Sequence, residues 1–328
     1  MTQTDEHIVN LDLPANERWE FLNNYKSEIN ELLQYYLNDF EGAGFLFESI
    51  GLYKKEIISS EYLAEIEFIS SISNFSSDQV LIANLYYDVL KFYFGCTAFA
   101  VETNGSILHS RNLDWWTDNN ILSKFSKIFH YQKNGKTIYK TVGWVGFVGA
   151  LSGTKPGRFS LTLNAVLSKD KPEIAIPISF FLRDILNTAN SYDEAKEKLE
   201  QTPIASDCLI LLSGTRPNEM VVIERTPTRS ATRTTDQKYI IVTNDYKKLE
   251  NNTQGESVLQ STSCGRFDRT QELLENQTPT DFVKCFDILQ DKNVMMGITV
   301  QQMVFINETG EIKLLKTGVN NTYPQAGL

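Results

Sequence analysis

Histidine is scarce, with three in 328 residues, and cysteine is hardly commoner, with four. His7, His109 and His130 are too scattered for a zinc site. Cys96, Cys208, Cys264 and Cys285 show no C-x-x-C spacing, so no metal, cofactor or disulfide scaffold is expected. No window reaches the ~18 apolar residues of a membrane span. The opening MTQTDEHIVNLDLP has neither the basic start nor the apolar run of a secretion signal, and a soluble, cytoplasmic chain is expected. Positive charge is also short. Lys+Arg number 31 against 41 Asp+Glu, a net of −10, which lacks the basic footprint of a nucleic-acid binder. Internal repeats and low-complexity linkers are missing as well. What remains is an ordinary globular composition, 41% hydrophobic and 22% charged, which excludes disorder, collagen and coiled coil. The length suits one large domain or two of common size.

The charge is unevenly placed. Residues 1–95 hold 5 Lys+Arg and 16 Asp+Glu, a net of −11, and the other residues hold the remaining 26 and 25, a net of +1. The two stretches also differ in pattern. Ile29, Leu32, Leu33, Tyr36 and Leu37 follow a helical stripe, as do Tyr62, Ile66 and Ile69. Ser77 or Asp78 can cap a third helix carrying Val80, Leu81, Leu85, Tyr86, Val89 and Leu90, with Gly95 as its stop. These stripes read as core. Transient contact of part of this face with a membrane surface is the alternative. After Gly95 the pattern turns to strands, expected in CTAFAV (96–101) and ILHSRNLDWW (107–116) and near 137–150, 158–166, 206–213, 219–225, 238–243, 299–306 and 311–316. Two helical stretches interrupt them. One spans about 177–200, divisible at the capping box Ser191-Tyr192-Asp193-Glu194, and the other lies near 280–290. The order implies an α+β fold, an antiparallel sandwich with helical layers outside, divided into 1–95 and 96–328.

Asn104-Gly105 between two β-like runs is the strongest short hairpin signal. A two-residue loop there sets Thr103 opposite Ser106, Cys96 opposite Leu113, Ala98 opposite Arg111 and Ala100 opposite His109. Cys96 and Arg111 then share a face on strands about 5 Å apart. Asp114 lies one step beyond the partner of Cys96. By strict alternation it faces the other way, unless a bend or bulge turns it. A guanidinium beside a thiol favours the thiolate. His109 has the parity of a base but sits two pairs away. Were the chain cut before Cys96, the freed α-amine, with a pKa of about 7.7–8, would sit on the same residue as the thiol. Asp114 could then hold that amine. The competing reading is that Cys96 is a small buried hydrophobe at a strand start.

The run CTAFAVETNGSILHSRNLD, Cys96 to Asp114, resembles the nucleophile segment of the acid ceramidase and N-acylethanolamine acid amidase family. So do NLDLPANERW at 10–19, GWVGFVGALSGTKPGRFSLTLN at 143–164, SYDEAKEKL at 191–199, IIVTND at 240–245 and ITVQQMVFINETGEI at 298–312. The likeness runs through most of the chain in the same order. It implies an N-terminal nucleophile hydrolase with an αββα sandwich, made as a precursor that cuts itself between Gly95 and Cys96. The helical segment 1–95 becomes an α subunit that stays associated with a 96–328 β subunit. The implied substrate is a fatty-acyl amide lipid. The resemblance implies Cys96 as nucleophile, Arg111 and Asp114 near its amine and the substrate carbonyl, and Asn244 in the oxyanion hole. It also implies a later arginine, Arg266 in SCGRFDR or Arg269 as the alternative. Asn164 and the pair Trp115-Trp116 are the substrate-binding candidates, with buried core as the other reading of the tryptophans.

Three departures stand out. Asn164-Ala165 stands where the family has Asn-Glu or Asp-Glu, Gly95 replaces a bulkier residue before the nucleophile, and Trp115-Trp116 replaces a Tyr or Phe. Two alternatives therefore stay open: a penicillin- or bile-acid-type acylase of the same fold, and an uncleaved, non-catalytic lipid-binding relative.

Overall fold

In the computed structural model of the protein the described residues are 5–40, 44–90, 94–116, 120–250 and 261–318, and the side chains of 44–49, 90 and 94 fall outside the description. Thirteen described strands form two sheets. The larger runs in the order β1 (Glu6–Asn10), β4 (Ser126–Lys133), β5 (Lys136–Trp144), β6 (Ser152–Lys155), β7 (Phe159–Asn164), β8 (Cys208–Ser213), β9 (Met220–Arg225), β10 (Ser230–Arg233). The smaller runs β11 (Tyr239–Val242), β2 (Phe94–Thr103), β3 (Ser106–Trp115), β12 (Thr299–Ile306), β13 (Glu311–Lys316).

The sheets face each other. Ala98 and Ala100 of β2 pack with Leu209 and Leu211 of β8 and Val222 of β9. Alternate residues Phe99 and Val101 turn outward against Phe286 and Leu289, as the two-residue period of a strand requires. On that outer side lie α9 (Ser263–Asn276) and α10 (Phe282–Leu289). Against the large sheet lie α7 (Ile178–Thr188) and α8 (Tyr192–Gln201). The four layers are the α+β sandwich expected. Ser191 accepts from the Glu194 amide and starts α8, while the Glu194 carboxylate reaches the Asn190 amide rather than the cap's own.

The N-terminal stretch forms α1 (Lys26–Asn38), α2 (Gly44–Glu56), α3 (Ser60–Ile72), α4 (Ser77–Asn84) and α5 (Tyr86–Leu90). Ile29, Leu32, Leu33, Tyr36, Tyr62, Ile66 and Ile69 are all buried. The cap of α4 is Ser76, one residue before the expected pair, because Gln79 completes a capping box with it. That helix ends with Leu85 as its C-cap, and α5 begins at Tyr86. Gly95 is not a helix stop. It lies inside β2, opposite Asp114. Nor is the stretch purely helical, since β1 pairs in parallel with β4 of the large sheet.

Other elements leave little local signal in the sequence. The short strands β6 and β10, the five-residue α6 (Ile121–Phe125) and helix α9 are not among the expected elements. Strand β4 is also outside them, although Asn134-Gly135, both at positive φ, marks its hairpin with β5 as plainly as Asn104-Gly105 marks the other. Helix α9 begins at Thr262 without a side-chain cap and has a glycine in its first turn, which hides it from both stripe and cap signals. The glycine-rich stretch has a steric cause. A Cβ at Gly153 would stand 2.4 Å from Leu186 Cδ1 and 2.7 Å from the Lys140 carbonyl, and one at Gly149 would stand 2.7 Å from Ser179 Cβ. The backbone of 149–153 therefore packs directly on α7 and β5.

Candidate active site

The register of β2 with β3 is the one the turn dictates: Thr103 with Ser106, Ala98 with Arg111 and Cys96 with Leu113. Asn104 and Gly105 both take positive φ, 51° and 77°, as this hairpin turn demands. Cys96 and Arg111 consequently meet between the sheets, with Arg111 Nη2 3.3 Å from Cys96 Sγ. The same guanidinium is steered by the Leu151 carbonyl at 2.7 Å, the Ser152 hydroxyl and the Leu163 carbonyl. Leu151 and Ser152 belong to the tightly packed glycine stretch, so that packing aims the guanidinium.

The other side of Cys96 is held by different elements. Asn244, just past β11, accepts the Cys96 backbone N–H on Oδ1 at 3.0 Å and donates from Nδ2 to the Ala165 carbonyl at 2.7 Å. Arg266 of α9 donates to Asn244 Oδ1 at 2.7 Å, to the Cys96 carbonyl at 2.6 Å and to Thr97 Oγ1 at 2.8 Å. Ser263 in the first turn of α9 accepts the Asn244 N–H at 2.9 Å. Arg269 points elsewhere, to Asp291 and Glu272, so of the two arginines Arg266 is the one brought to Cys96. Burial lowers the Arg266 guanidinium's pKa, against the pull of Asp114, Cys96 and Asp245.

Asp114 keeps strict alternation. It pairs with Gly95, its Oδ1 accepts from Thr299, and its Oδ2 is buried without a partner among the described residues. Burial raises its pKa, while Arg266, Thr299 and Arg111 pull it back. Cys96 is thus flanked by one arginine in the inter-sheet space and another on the helical side, with Asp114 on the latter. A cavity of about 640 Å³ lined by Thr262, Arg266, Arg269, Met295 and Met296 opens on that side. Cys96 itself is only 1% exposed.

The remaining candidates are dispersed. Asn164 donates to the Val242 and Thr243 carbonyls at 3.2 and 2.9 Å, bracing the strand end before Asn244, and its Oδ1 is buried without a partner among the described residues. Trp115 is buried among Tyr36, Tyr86 and Trp144. Trp116 is 64% exposed. His109 is bonded through both ring nitrogens, to Ser213 and Thr162 at 2.8 Å each, and burial pushes its pKa down to about 3. It is a neutral bridge between sheets and does not reach Cys96.

One neighbour carries no signal in the sequence. Tyr87 of α5 is buried near Cys96 and Cys208, with its hydroxyl on the Asp207 carbonyl at 3.3 Å. Only the fold brings it there. Among the described residues no group of three His, Cys, Asp or Glu side chains gathers as a metal site would require, and no helix is long and apolar enough to cross a membrane.

Known proteins resemble this chain in sequence and fold. The acid ceramidase of Balaenoptera acutorostrata scammoni is 29% identical over 250 residues, covering 67% of this chain and 62% of that protein. The chain thus spans under two thirds of that relative's length. The acid ceramidase of Heterocephalus glaber is 27% identical over 337 residues, covering 90% of this chain and 81% of its own. A solved structure, the Caenorhabditis elegans N-acylethanolamine-hydrolyzing acid amidase ortholog, matches 65% of this chain and 93% of its own with a TM-score of 0.56 at 24% identity. The fold is therefore the N-terminal nucleophile hydrolase sandwich. The family model for acyl-coenzyme A:6-aminopenicillanic acid acyl-transferase matches residues 102–300, more than half of the sequence, and the chain belongs to that family.

Proposed function

We propose that this protein is an amidohydrolase of fatty-acyl amide lipids, ceramide-like or N-acylethanolamine, acting through Cys96 after autocatalytic cleavage between Gly95 and Cys96. The observation that carries the reading is the convergence on one residue. Arg111 lies at its sulfur, Asn244 at its nitrogen and Arg266 at its carbonyl. The acid ceramidase relatives, one of them aligned over 90% of the chain, favour this substrate class.

In the maturation step Sγ adds to the Gly95 carbonyl carbon. The Cys96 nitrogen leaves carrying the thiol's proton, and water hydrolyses the resulting thioester. Gly95 ends as a carboxylate and Cys96 keeps a free α-amine. In turnover that amine takes the thiol proton, and the thiolate, favoured by Arg111, adds to the substrate carbonyl. The proton passes to the leaving nitrogen as the C–N bond breaks. Water, deprotonated by the same amine, then releases the fatty acid and restores the thiol. Asn244 Nδ2 has a second hydrogen beyond the one given to Ala165, and it is the proposed donor to the oxyanion, worth roughly 3–4 kcal/mol of barrier. Asp114, opposite Gly95 on the neighbouring strand, is the proposed carboxylate to hold the freed amine.

The test is incubation of purified protein at acidic and neutral pH, with denaturing electrophoresis, N-terminal sequencing and product analysis on ceramide, an N-acylethanolamine, a penicillin and a conjugated bile acid. The expected result is a 37.4 kDa chain that splits to expose Cys96 and then releases fatty acid, with Cys96→Ala doing neither. A Cys96→Ala protein that still turns over the lipid amides ends the proposal. The family model's description keeps a penicillin-type acyl transfer as the second reading, and preference for that substrate would select it. A wild-type chain that stays whole and only binds lipid selects the non-catalytic relative.

A further inference from the structure

Glu65 of α3 and Arg183 of α7 come from opposite sides of the Gly95–Cys96 bond and are both buried. The carboxylate is gripped twice, Nη2 to Oε1 at 2.8 Å and Nη1 to Oε2. Arg18 Nη1 stands 3.4 Å from the same carboxylate. The guanidinium lies over Tyr131 at 4.8 Å, Tyr62 at 4.9 Å and Trp19 at 5.9 Å. Its Nε donates to Tyr139 Oη at 3.2 Å and Nη1 to the Val148 carbonyl at 2.9 Å. Next to it Tyr62 donates to Asp184 Oδ1 at 2.6 Å and stacks on Phe180 at 4.6 Å. Trp19, Tyr62 and Glu65 belong to 1–95, and Tyr131, Tyr139, Val148 and Arg183 to 96–328.

We propose that this joint is the clasp that keeps the 1–95 piece seated on the 96–328 piece once the chain is cut, so that the partner it fits is the protein's own N-terminal fragment. The inference rests on the cleavage reading above. All four cysteines lie at or after position 96, so no disulfide can join the pieces. Their net charges, −11 and +1, give little overall attraction. Strand β1 on β4 and a shared apolar core, with Tyr36 and Tyr86 against Trp115, are further holds, but among the described residues only the Glu65–Arg183 joint combines a bidentate ion pair with an aromatic cage shared by both pieces. A buried pair of this kind tolerates replacement of both members far better than loss of one. That asymmetry makes the joint specific for correct seating.

The experiment separates the clasp from self-cleavage. A full-length Cys96→Ala chain carries a site-specific protease sequence in place of residues 91–93. It is cut in the folded state and diluted, and fragment association is read by native mass spectrometry. The nicked parent is expected to stay one species. Glu65→Gln is expected to raise the fragment dissociation constant at least 100-fold, and Arg183→Lys, which loses the planar fork, at least tenfold. Glu65→Leu/Arg183→Met together should dissociate less than Glu65→Gln alone. Ser191→Ala, which removes a cap wholly inside the larger piece, should leave the dissociation constant unchanged. Nicked parent fragments that part at once, or a Glu65→Gln protein that holds together like the parent, overturn the proposal. If Glu65→Gln does not fold before nicking, Arg183→Lys decides the question in its place. Failure of the unaltered chain to cut itself would sink the cleavage reading and leave this measurement intact.

Discussion

Two buried arginines in this protein are provided for in opposite ways. Arg183 faces a carboxylate gripped by both of its terminal nitrogens and is walled by three aromatic rings. Burial pulls its pKa down, and the Glu65 charge and hydrogen bonds, together with Tyr131 and Tyr139, more than restore it. Arg111 has instead two carbonyls, a hydroxyl and a thiol. Partial charges orient a guanidinium but leave its positive potential unneutralised. An arginine matched by a carboxylate fixes structure. One held mainly by dipoles stays available to stabilise a negative charge that forms later, which is the role proposed for Arg111 at Cys96. Burial is the same in both cases, so the partner decides the role.

The contrast breaks if the two behave alike on removal. Arg183→Ala strands the Glu65 carboxylate in the core and is expected to cost about 3–5 kcal/mol of stability by urea denaturation, with the activity per folded molecule little changed. Arg111→Ala is expected to lower kcat/KM about 10²–10³-fold while leaving the urea midpoint nearer the parent's, and a larger stability loss than that of Arg183→Ala would erase the distinction. The tryptophans sharpen it on the apolar side. Trp115→Ala opens a cavity among three aromatic neighbours and should cost about 3–5 kcal/mol, whereas exposed Trp116→Ala should stay within about 0.5 kcal/mol and show itself, if it meets substrate, in KM.

The smaller effects are pH effects, and their signs differ. His109 has a folded pKa of about 3 against an ordinary 6.5, so its contribution is intact above 6.5 and is lost as pH falls toward 3, by about 1.4 kcal/mol per pH unit. His109→Gln should flatten that part of the stability curve. Asp114 is raised by burial, so its contribution is present at low pH and is lost as pH rises through the folded value. Asp114→Asn should remove that loss. A pH series of unfolding curves for the two variants checks both signs.

The β2–β3 hairpin is legible in the sequence because its information is local. Asn104-Gly105 sets the turn, the turn sets the register, and the two-residue period puts Cys96 and Arg111 on one face and Asp114 on the other. The stripes of α1 and α3 are legible for the same reason, since three or four residues of spacing decide which side meets the core. The helix carrying Arg266 is not. It has few apolar positions and no cap, and it exists because it packs on β11. Strand β1 is not legible either, since its partner lies more than a hundred residues away. Turns, stripes and most caps depend on neighbours along the chain, and so they can be read there together with the residues able to carry chemistry. Which arginine reaches Cys96, that Asn244 meets its nitrogen, and that Glu65 closes on Arg183 were decided only by tertiary structure. Each depends on where separate elements dock, and docking is set by the whole core at once.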